Sequence, residues 1–429
     1  MRQFRRKPKL TNMPHSPQQS SPTTTASPGS SHALPGIATL IYVLLLVYGT
    51  LFPLSGWQWP DGGLLNPRFP AWPEKLHSSD VLTNLLVYMP LGLLLGVLLR
   101  QRFSPWGVLI LATSLGTGLS FLLEYLQTYL PLRVSSLADI LLNGLGSLAG
   151  AGLLVLMNPG SSLQRRLLAF KHFWFKEDPL SQLGLVVLVL WATAQLFPLV
   201  PSLDMASLRA GLKPLWYTLN DIGRFEPWRT GVYALNITGL GLLTRHLLRE
   251  GRPLLPLFGA LVMTVLLLKV LVVGRQLSLE ALGGAALGLL MLLLVRGDGR
   301  AVATLALCGA FLLEALQSGT GSATRAMNWI PFLGHMQSVL DMVDIITTAW
   351  PFVALAWLGL SYKPPRPMTI AVSGGLLVCF GTLTVEWLQQ SLPGRYPDIT
   401  DVALATLGWG LPWWYFARRF PRPTGQGVN

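Results

Sequence analysis

The feature that most constrains the fold of this chain is a series of long apolar runs. An α-helix needs roughly 20 mainly apolar residues to cross about 30 Å of hydrocarbon. Twelve runs of about this length are predicted, near residues 34–54, 80–100, 106–128, 135–157, 183–200, 229–249, 254–274, 277–296, 301–318, 341–361, 368–390 and 398–417. Helices satisfy their backbone hydrogen bonds within a bilayer without help from water. The sequence therefore predicts an all-α, polytopic membrane protein of about twelve transmembrane helices.

Composition supports this prediction and excludes several kinds of site. Hydrophobic residues make up 51% of the 429 residues and charged residues only 12%, whereas a soluble domain carries about 25% charged residues. The two cysteines lie in apolar runs, and no two of the six histidines have the spacing of helical metal ligands. We therefore predict no disulfide framework, no metal site and no cofactor.

Basic residues mark alternate connections between the predicted spans. One side of the predicted bundle has 21 Lys and Arg residues and the other side has ten. The side with the excess of Lys and Arg is cytoplasmic in membrane proteins. This distribution predicts a multi-pass protein of the cell inner (cytoplasmic) membrane, with both termini in the cytoplasm.

The net charge of +13 does not indicate a nucleic-acid partner. Basic residues form short clusters between apolar runs, and tryptophans stand at the ends of many runs, as in the interfacial belt of membrane helices. A nucleic-acid-binding surface would combine a basic groove with stacking aromatic residues. The predicted partners are therefore membrane lipids, and no nucleic acid.

The chain divides into three predicted units of four spans each, joined and flanked by polar segments. The first, second and third units are residues 34–157, 183–296 and 301–417. Residues 1–33 are basic and rich in Ser, Thr and Pro, and are predicted to form a disordered cytoplasmic tail. Residues 158–182 form a cytoplasmic linker, and residues 418–429 form a second cytoplasmic tail.

Four polar residues recur at identical spacing in the first and third units. The first set is Glu124, Gln127, Arg133 and Asp139, and the second set is Glu386, Gln389, Arg395 and Asp401, which begins 262 residues later. Ionisable residues within membrane spans are costly and generally mark a functional site. The two sets predict an internal repeat, and both face outward in the predicted topology.

The first set has polar neighbours that the second set mostly lacks. Asp80 and Asn84 lie four residues apart, as do Asp139 and Asn143, so the members of each pair share a helix face. In the third unit Asp341 aligns with Asp80, but an apolar residue stands where Asn84 would be. We therefore expect the first set to form the working pocket and the second set to survive mainly as a structural copy.

Two interpretations of the first set are open. Arg133 lies between the carboxylates of Glu124 and Asp139, where it could clamp a helical hairpin. Alternatively, the polar side chains converge on a ligand, and the forked guanidinium of Arg133 meets a phosphate or carboxylate. Both interpretations place the three residues close together.

Three motifs of the first unit occur together in a known family. They are Asp80-x3-Asn84-x5-Pro90-x-Gly92, Glu124-x2-Gln127 followed by Arg133, and Asp139-x3-Asn143-x2-Gly146-x3-Gly150. Together they resemble the VanZ-like family of integral membrane proteins, and a weaker copy covers residues 301–417. The resemblance implies a four-helix membrane unit of the cell envelope. The family's named member is linked to low-level resistance to the glycopeptide teicoplanin, and related multi-unit proteins suggest exopolysaccharide or envelope assembly.

Three classes of function follow from these residues. The leading hypothesis is a binding protein, in which the polar pocket holds an envelope glycan, a polyprenyl-linked precursor or a glycopeptide. A proton-coupled transporter would use Glu124 or Asp139 as proton carriers. A membrane enzyme acting on a lipid-linked sugar would use the same two carboxylates as an acid–base pair. We expect a binding protein rather than an enzyme, and the sequence assigns no catalytic residue.

Overall fold

The computed structural model describes residues 33–51, 56–58, 71–73, 78–130, 134–157, 161–197, 204–319, 321–333 and 339–417. Within these ranges the chain forms fourteen α-helices, one 3₁₀ turn at Ile222–Arg224 and isolated β-bridges. The helices are α1 (Ala33–Leu51), α2 (Ser78–Leu99), α3 (Pro105–Gln127), α4 (Leu137–Leu156), α5 (Ser162–Trp174), α6 (Pro179–Leu196), α7 (Met205–Asn220), α8 (Pro227–Leu247), α9 (Leu254–Leu271), α10 (Leu279–Leu294), α11 (Arg300–Ala315), α12 (Val339–Ser361), α13 (Pro367–Gln389) and α14 (Ile399–Ala417). The all-α prediction is confirmed.

Each of the twelve predicted spans corresponds to one helix in the described ranges. Seven of these helices, α2, α3, α4, α6, α9, α12 and α13, contain segments that are long and apolar enough to cross a membrane. Shorter apolar segments lie at Tyr42–Leu51 in α1 and along α10. The multi-pass membrane character is therefore confirmed, and the exact number of twelve spans stays a prediction.

Two further helices, α5 and α7, lie in connections for which the sequence predicted no span. In α5, Arg165 and Arg166 neighbour Leu167, Phe170 and Phe173, whose side chains are about half exposed. The helix α7 likewise exposes several large apolar side chains beside basic residues. Amphipathic helices of this composition lie along a membrane surface instead of crossing it.

The helices α2 and α4 approach each other at backbone-contact distance. A Cβ atom added to Gly146 would lie 2.3 Å from the carbonyl oxygen of Leu85. One added to Gly150 would lie 1.9 Å from the carbonyl oxygen of Met89. Small residues at such positions let membrane helices pack by van der Waals contact, because the hydrophobic effect does not drive association within lipid. The Gly146-x3-Gly150 motif of the sequence therefore lies at a close contact between α2 and α4.

The helices of the second and third predicted units are exchanged across their boundary. The helix α8 packs against α10 and also against α11, while α12 packs against α14 and also against α6. The indole Nε1 of Trp357 in α12 donates a hydrogen bond of 2.7 Å to the carbonyl oxygen of Leu180 in α6. The first helix of each unit thus lies against the second helix of the other unit.

Alternate connections lie together at one end of the bundle, as the charge distribution predicted. Arg245 at the end of α8 donates a hydrogen bond of 3.1 Å to the carbonyl oxygen of Val295, just after α10. Arg300 at the start of α11 donates one of 2.6 Å to the carbonyl oxygen of Ser361, at the end of α12. A hydrogen bond from Arg300 also lowers the pKa of the Asp298 carboxyl below its ordinary value. The assignment of this end to the cytoplasm stays a prediction.

Replacing Gly150 by Ala should weaken the first unit, because its Cβ would force α2 and α4 apart. We expect the free energy of unfolding to fall by about 1–3 kcal/mol, the usual effect of overpacking. Gly152→Ala on the same helix is the matched control, because a Cβ there would have no atom within 4 Å. Thermal unfolding of the purified variants in detergent measures the stability of each. Equal melting temperatures for the two variants would contradict the close approach.

Candidate functional site

Two buried side chains of the first set fasten α3 to its neighbours. A carboxylate oxygen of Glu124 accepts a hydrogen bond of 2.9 Å from the backbone N–H of Ser136, immediately before α4. The side-chain amide of Gln127 donates one of 3.0 Å to the carbonyl oxygen of Thr50, near the end of α1. Both side chains are less than a tenth exposed. Glu124 and Gln127 therefore hold three helix ends together.

Asp139 of the first set and its polar neighbours Asn84 and Asn143 cross-link α4 to the helices on either side. The amide of Asn84 in α2 donates a hydrogen bond of 2.7 Å to a carboxylate oxygen of Asp139 in α4. The amide of Asn143 donates one of 2.8 Å to the hydroxyl of Ser120 in α3. The structure thus brings together the predicted stripes of α2, α3 and α4.

Two residues predicted for the site of the first unit lie partly or wholly outside the residues that the structure describes. Arg133 lies outside the described residues. The backbone of Asp80 belongs to α2, but its side chain lies outside the described part of the chain. The predicted pairing of Arg133 with a carboxylate therefore stays a prediction.

The second set repeats the two fastening contacts of the first set. A carboxylate oxygen of Glu386 accepts a hydrogen bond of 2.9 Å from the backbone N–H of Asp398, immediately before α14. The amide of Gln389 donates one of 3.0 Å to the carbonyl oxygen of Ala315, at the end of α11. The same contacts at the same helix ends support the division into repeated units, which stays a prediction.

The hydrogen bond of Asp401 identifies the residue of α12 that corresponds to Asn84 of the first unit. The hydroxyl of Thr348 lies 3.4 Å from a carboxylate oxygen of Asp401, and so occupies the place that Asn84 has in the first unit. Asp344, four residues before Thr348, then corresponds to Asp80. The side chain of Asp341, which the spacing to Pro351 aligns with Asp80, lies outside the described part of the chain, so its place in the second set stays a prediction.

The arginine of the second set binds the carbonyl end of a helix. The guanidinium of Arg395 donates a hydrogen bond of 2.7 Å to the carbonyl oxygen of Gln317 and another to the carbonyl oxygen of Glu314. Carbonyl groups in the last turn of a helix lack intrahelical partners, and basic side chains can satisfy them. Arg395 therefore caps α11, a structural role at the position that Arg133 has in the first unit.

An arginine of the second predicted unit makes the same kind of cap. Arg275 donates hydrogen bonds of 2.5 Å to the carbonyl oxygen of Phe197 and 3.4 Å to that of Ala194, at the end of α6. Lys269 precedes Arg275 by six residues, as Gln389 precedes Arg395. The spacing places Lys269 at the position of the motif's glutamine, not its acid.

A cavity of about 730 Å³ lies between the second and third predicted units. The helices α6, α8, α11, α12, α13 and α14 all contribute to its walls, together with the connection before α14. Its charged wall residues are Arg229, Glu314, Asp344, Glu386, Arg395, Asp398 and Asp401, and its aromatic ones are Trp191, Trp228, Tyr233, Phe311, Trp350, Phe352 and Tyr396. The second set thus borders a space large enough for a small ligand.

Several polar groups on the cavity wall retain unused hydrogen-bonding capacity. Glu386 is 5% exposed, and only one of its carboxylate oxygens has a hydrogen-bond partner within the described ranges. The carboxylate of Glu314 and the amides of Gln195 and Asn236 have none there. Buried polar groups such as Glu386 are usually hydrogen-bonded, and the other three side chains are solvent-accessible on the wall, so all four can serve a ligand.

A buried lysine orients one hydroxyl of the wall. Lys269 is 6% exposed, and its ammonium group donates a hydrogen bond of 3.0 Å to the hydroxyl oxygen of Tyr233. Because a lysine ammonium has only donors, the proton of the Tyr233 hydroxyl must point away from it. Tyr233 borders the cavity, where this proton can be donated to a ligand.

Sequence reasoning did not select Glu314, Arg229 or Asp344 as site residues. Glu314 lies in the predicted span 301–318, and an ionisable residue within a span is itself a signal of a site. The aromatic wall gave no comparable signal, because tryptophans near span ends are also expected at the membrane interface. These aromatic residues meet at one cavity only because helices of the second and third units pack against each other.

Apolar helices that border a partly polar cavity define this chain as a multi-pass helical membrane protein with a ligand-sized cavity. Residues 39–158, which contain most of α1 and all of α2, α3 and α4, match the family model described as VanZ/LLP1. This part of the chain is therefore a VanZ-like domain, as the motifs of the first unit predicted. No curated protein and no solved structure gives a significant match.

Replacing Arg395 by Gln should lower stability, because two carbonyl groups at the end of α11 would lose a charged donor. A hydrogen bond to a charged group contributes about 1.5–3 kcal/mol, so we expect a loss of roughly that size. Arg275→Gln should have a similar effect at α6. Arg209→Gln, at an exposed position of α7, is the control. Unchanged thermal unfolding of Arg395→Gln would show that the guanidinium does not act as a cap.

Proposed function

We propose that this protein binds the sugar headgroup of an envelope glycan, of a polyprenyl-linked precursor or of a glycopeptide in the cavity between α8 and α12. The observation that carries the proposal is the combination of aromatic walls with unused polar groups in one space of about 730 Å³. Ligand sites are typically apolar cavities with a few well-placed polar groups. A sugar presents both hydroxyl groups and apolar ring faces to such a site.

The wall residues take distinct roles in this proposal. Glu386 and Glu314 accept hydrogen bonds from ligand hydroxyl groups, because each has a carboxylate oxygen without a hydrogen-bond partner in the described part of the chain. Tyr233 donates its hydroxyl proton, which Lys269 directs away from itself. The tryptophans provide flat apolar surfaces with little conformational entropy to lose.

The first set takes a structural role in the same proposal. The side-chain groups of Asn84, Glu124, Gln127 and Asn143 make hydrogen bonds to other parts of the four-helix unit. These contacts match the clamp interpretation. The roles expected from the sequence are thereby reversed. In this proposal the second set binds the ligand, and the first set holds helices together.

The cellular setting supports an envelope ligand. The cavity borders the connection between α13 and α14, at the end of the bundle opposite the connection between α8 and α9. In the proposed topology, with both termini cytoplasmic in the inner membrane, this end faces outward. A lipid-linked headgroup can reach it from the outer leaflet. We place the protein in envelope or exopolysaccharide assembly, or in glycopeptide resistance.

Replacing Glu386 by Gln should weaken glycan binding by about ten- to a hundredfold, the usual effect of losing a hydrogen bond to a charged group. The amide oxygen can still accept from the backbone of Asp398, so the fold should survive. Isothermal titration with β-1,4-linked glucosamine tetrasaccharides, in free-amine and N-acetylated forms, measures this change.

Glu124→Gln is the matched control, because Glu124 makes the same backbone contact in the first set. We expect its affinity to equal that of the unsubstituted protein. Loss of binding in Glu124→Gln, with normal binding in Glu386→Gln, would instead assign the ligand to the first unit. Absence of binding by either form of the sugar would overturn the proposal.

A proton-coupled transporter is the second candidate, because Glu386 and Glu314 place carboxylates inside a helical bundle. Ionisable groups at such positions serve as proton relays in transporters. Transport predicts sugar flux into proteoliposomes that depends on a pH gradient and is lost in Glu386→Gln. Binding without flux would favour the binding protein. Turnover of a lipid-linked sugar would favour the third class, a membrane enzyme.

A further inference from the structure

We propose that the headgroup held in this cavity carries a positive charge, as the ammonium group of an amino sugar or of another amine-bearing headgroup. The inference rests on the proposed function and specifies its ligand class. It follows from the charges of the wall, the contacts of its arginines and one buried carboxylate.

The ionisable side chains of the wall are predominantly acidic. Five carboxylates, those of Glu314, Asp344, Glu386, Asp398 and Asp401, border the cavity together with two guanidinium groups. Carboxylates attract a cation, and those shielded from water, as at Glu386 and Asp398, attract it more strongly than exposed ones. An anionic group, such as a phosphate, would be repelled from the same space.

Protein groups already engage both guanidinium groups of the wall. Arg395 donates to the carbonyl oxygens of Gln317 and Glu314. Arg229 lies 2.5 Å from a carboxylate oxygen of Glu226 and also stacks over the ring of Trp228. Neither arginine is therefore arranged as the phosphate-binding fork that is one of the two interpretations of Arg133.

Glu386 is the independent observation that points to a ligand. Its side chain is 95% buried, borders the cavity, and has one carboxylate oxygen that accepts no hydrogen bond within the described ranges. Buried polar atoms normally have hydrogen-bond partners, because an atom without one loses its hydration without compensation. A ligand ammonium group, with several N–H donors, supplies the missing partner.

The aromatic wall fits the same ligand class. Trp191, Trp228 and Trp350 line the cavity, which also contains the rings of Tyr233 and Tyr396. Tryptophan and tyrosine faces attract ammonium groups through the ring quadrupole. In the part of the chain that the structure describes, no three His, Cys, Asp or Glu side chains are grouped to hold a metal ion. This arrangement favours an organic cation.

The test compares two sugars that differ only in charge. Isothermal titration of the purified full-length protein at neutral pH uses the glucosamine tetrasaccharide with free amines and its N-acetylated form. We expect the free-amine form to bind at least tenfold more tightly. Glu386→Gln should remove most of this difference, and Glu314→Gln should reduce it. Glu124→Gln should leave it unchanged.

The outcomes separate this inference from the proposed function. Equal affinity for the two forms would overturn the requirement for charge and leave the sugar-binding proposal standing. If ethanolamine or choline binds and neither sugar does, the result would support the cation site and overturn the proposal that the protein binds a sugar. No binding of any of these probes would overturn both proposals. Melting temperatures of the variants identify any loss of affinity caused by unfolding.

Discussion

The hydrogen bonds that tie helix ends together are the interactions on which the rest of this structure depends. Apolar helices gain little by associating within hydrocarbon, so close packing and polar contacts must hold them. Glu124 and Glu386 each bind the backbone just before the following helix. Gln127 and Gln389 each bind the end of an earlier helix. One short motif thus sets the positions of three helices in the first unit and of three in the third.

Much of the fold can be predicted from the sequence, because apolar length is a local property. The described helices match the predicted runs, and Gly146 and Gly150 lie at a close helix contact as their spacing suggested. The helices α5 and α7 were missed because a search for apolar runs ignores amphipathic segments. Their exposed apolar side chains alternate with basic ones, which lowers the mean hydropathy of each segment.

The site was less predictable, because it depends on contacts between distant segments. Spacing along the chain correctly grouped Asn84, Asp139 and Glu124 within one unit. It could not reveal that the second set borders a cavity, since the opposite wall comes from α6 and α8. Nor could spacing separate an arginine that binds a ligand from one that caps a helix, as Arg395 does.

The exchange of α6 and α11 between units has a consequence for how the chain is made. The face of α6 that includes Leu180 meets Trp357, which lies 177 residues later. During synthesis α6 enters the membrane long before α12 exists, and its packing face meets only lipid or other helices until then. The second unit therefore completes its packing only after the second helix of the third unit has been made, so the two units assemble together.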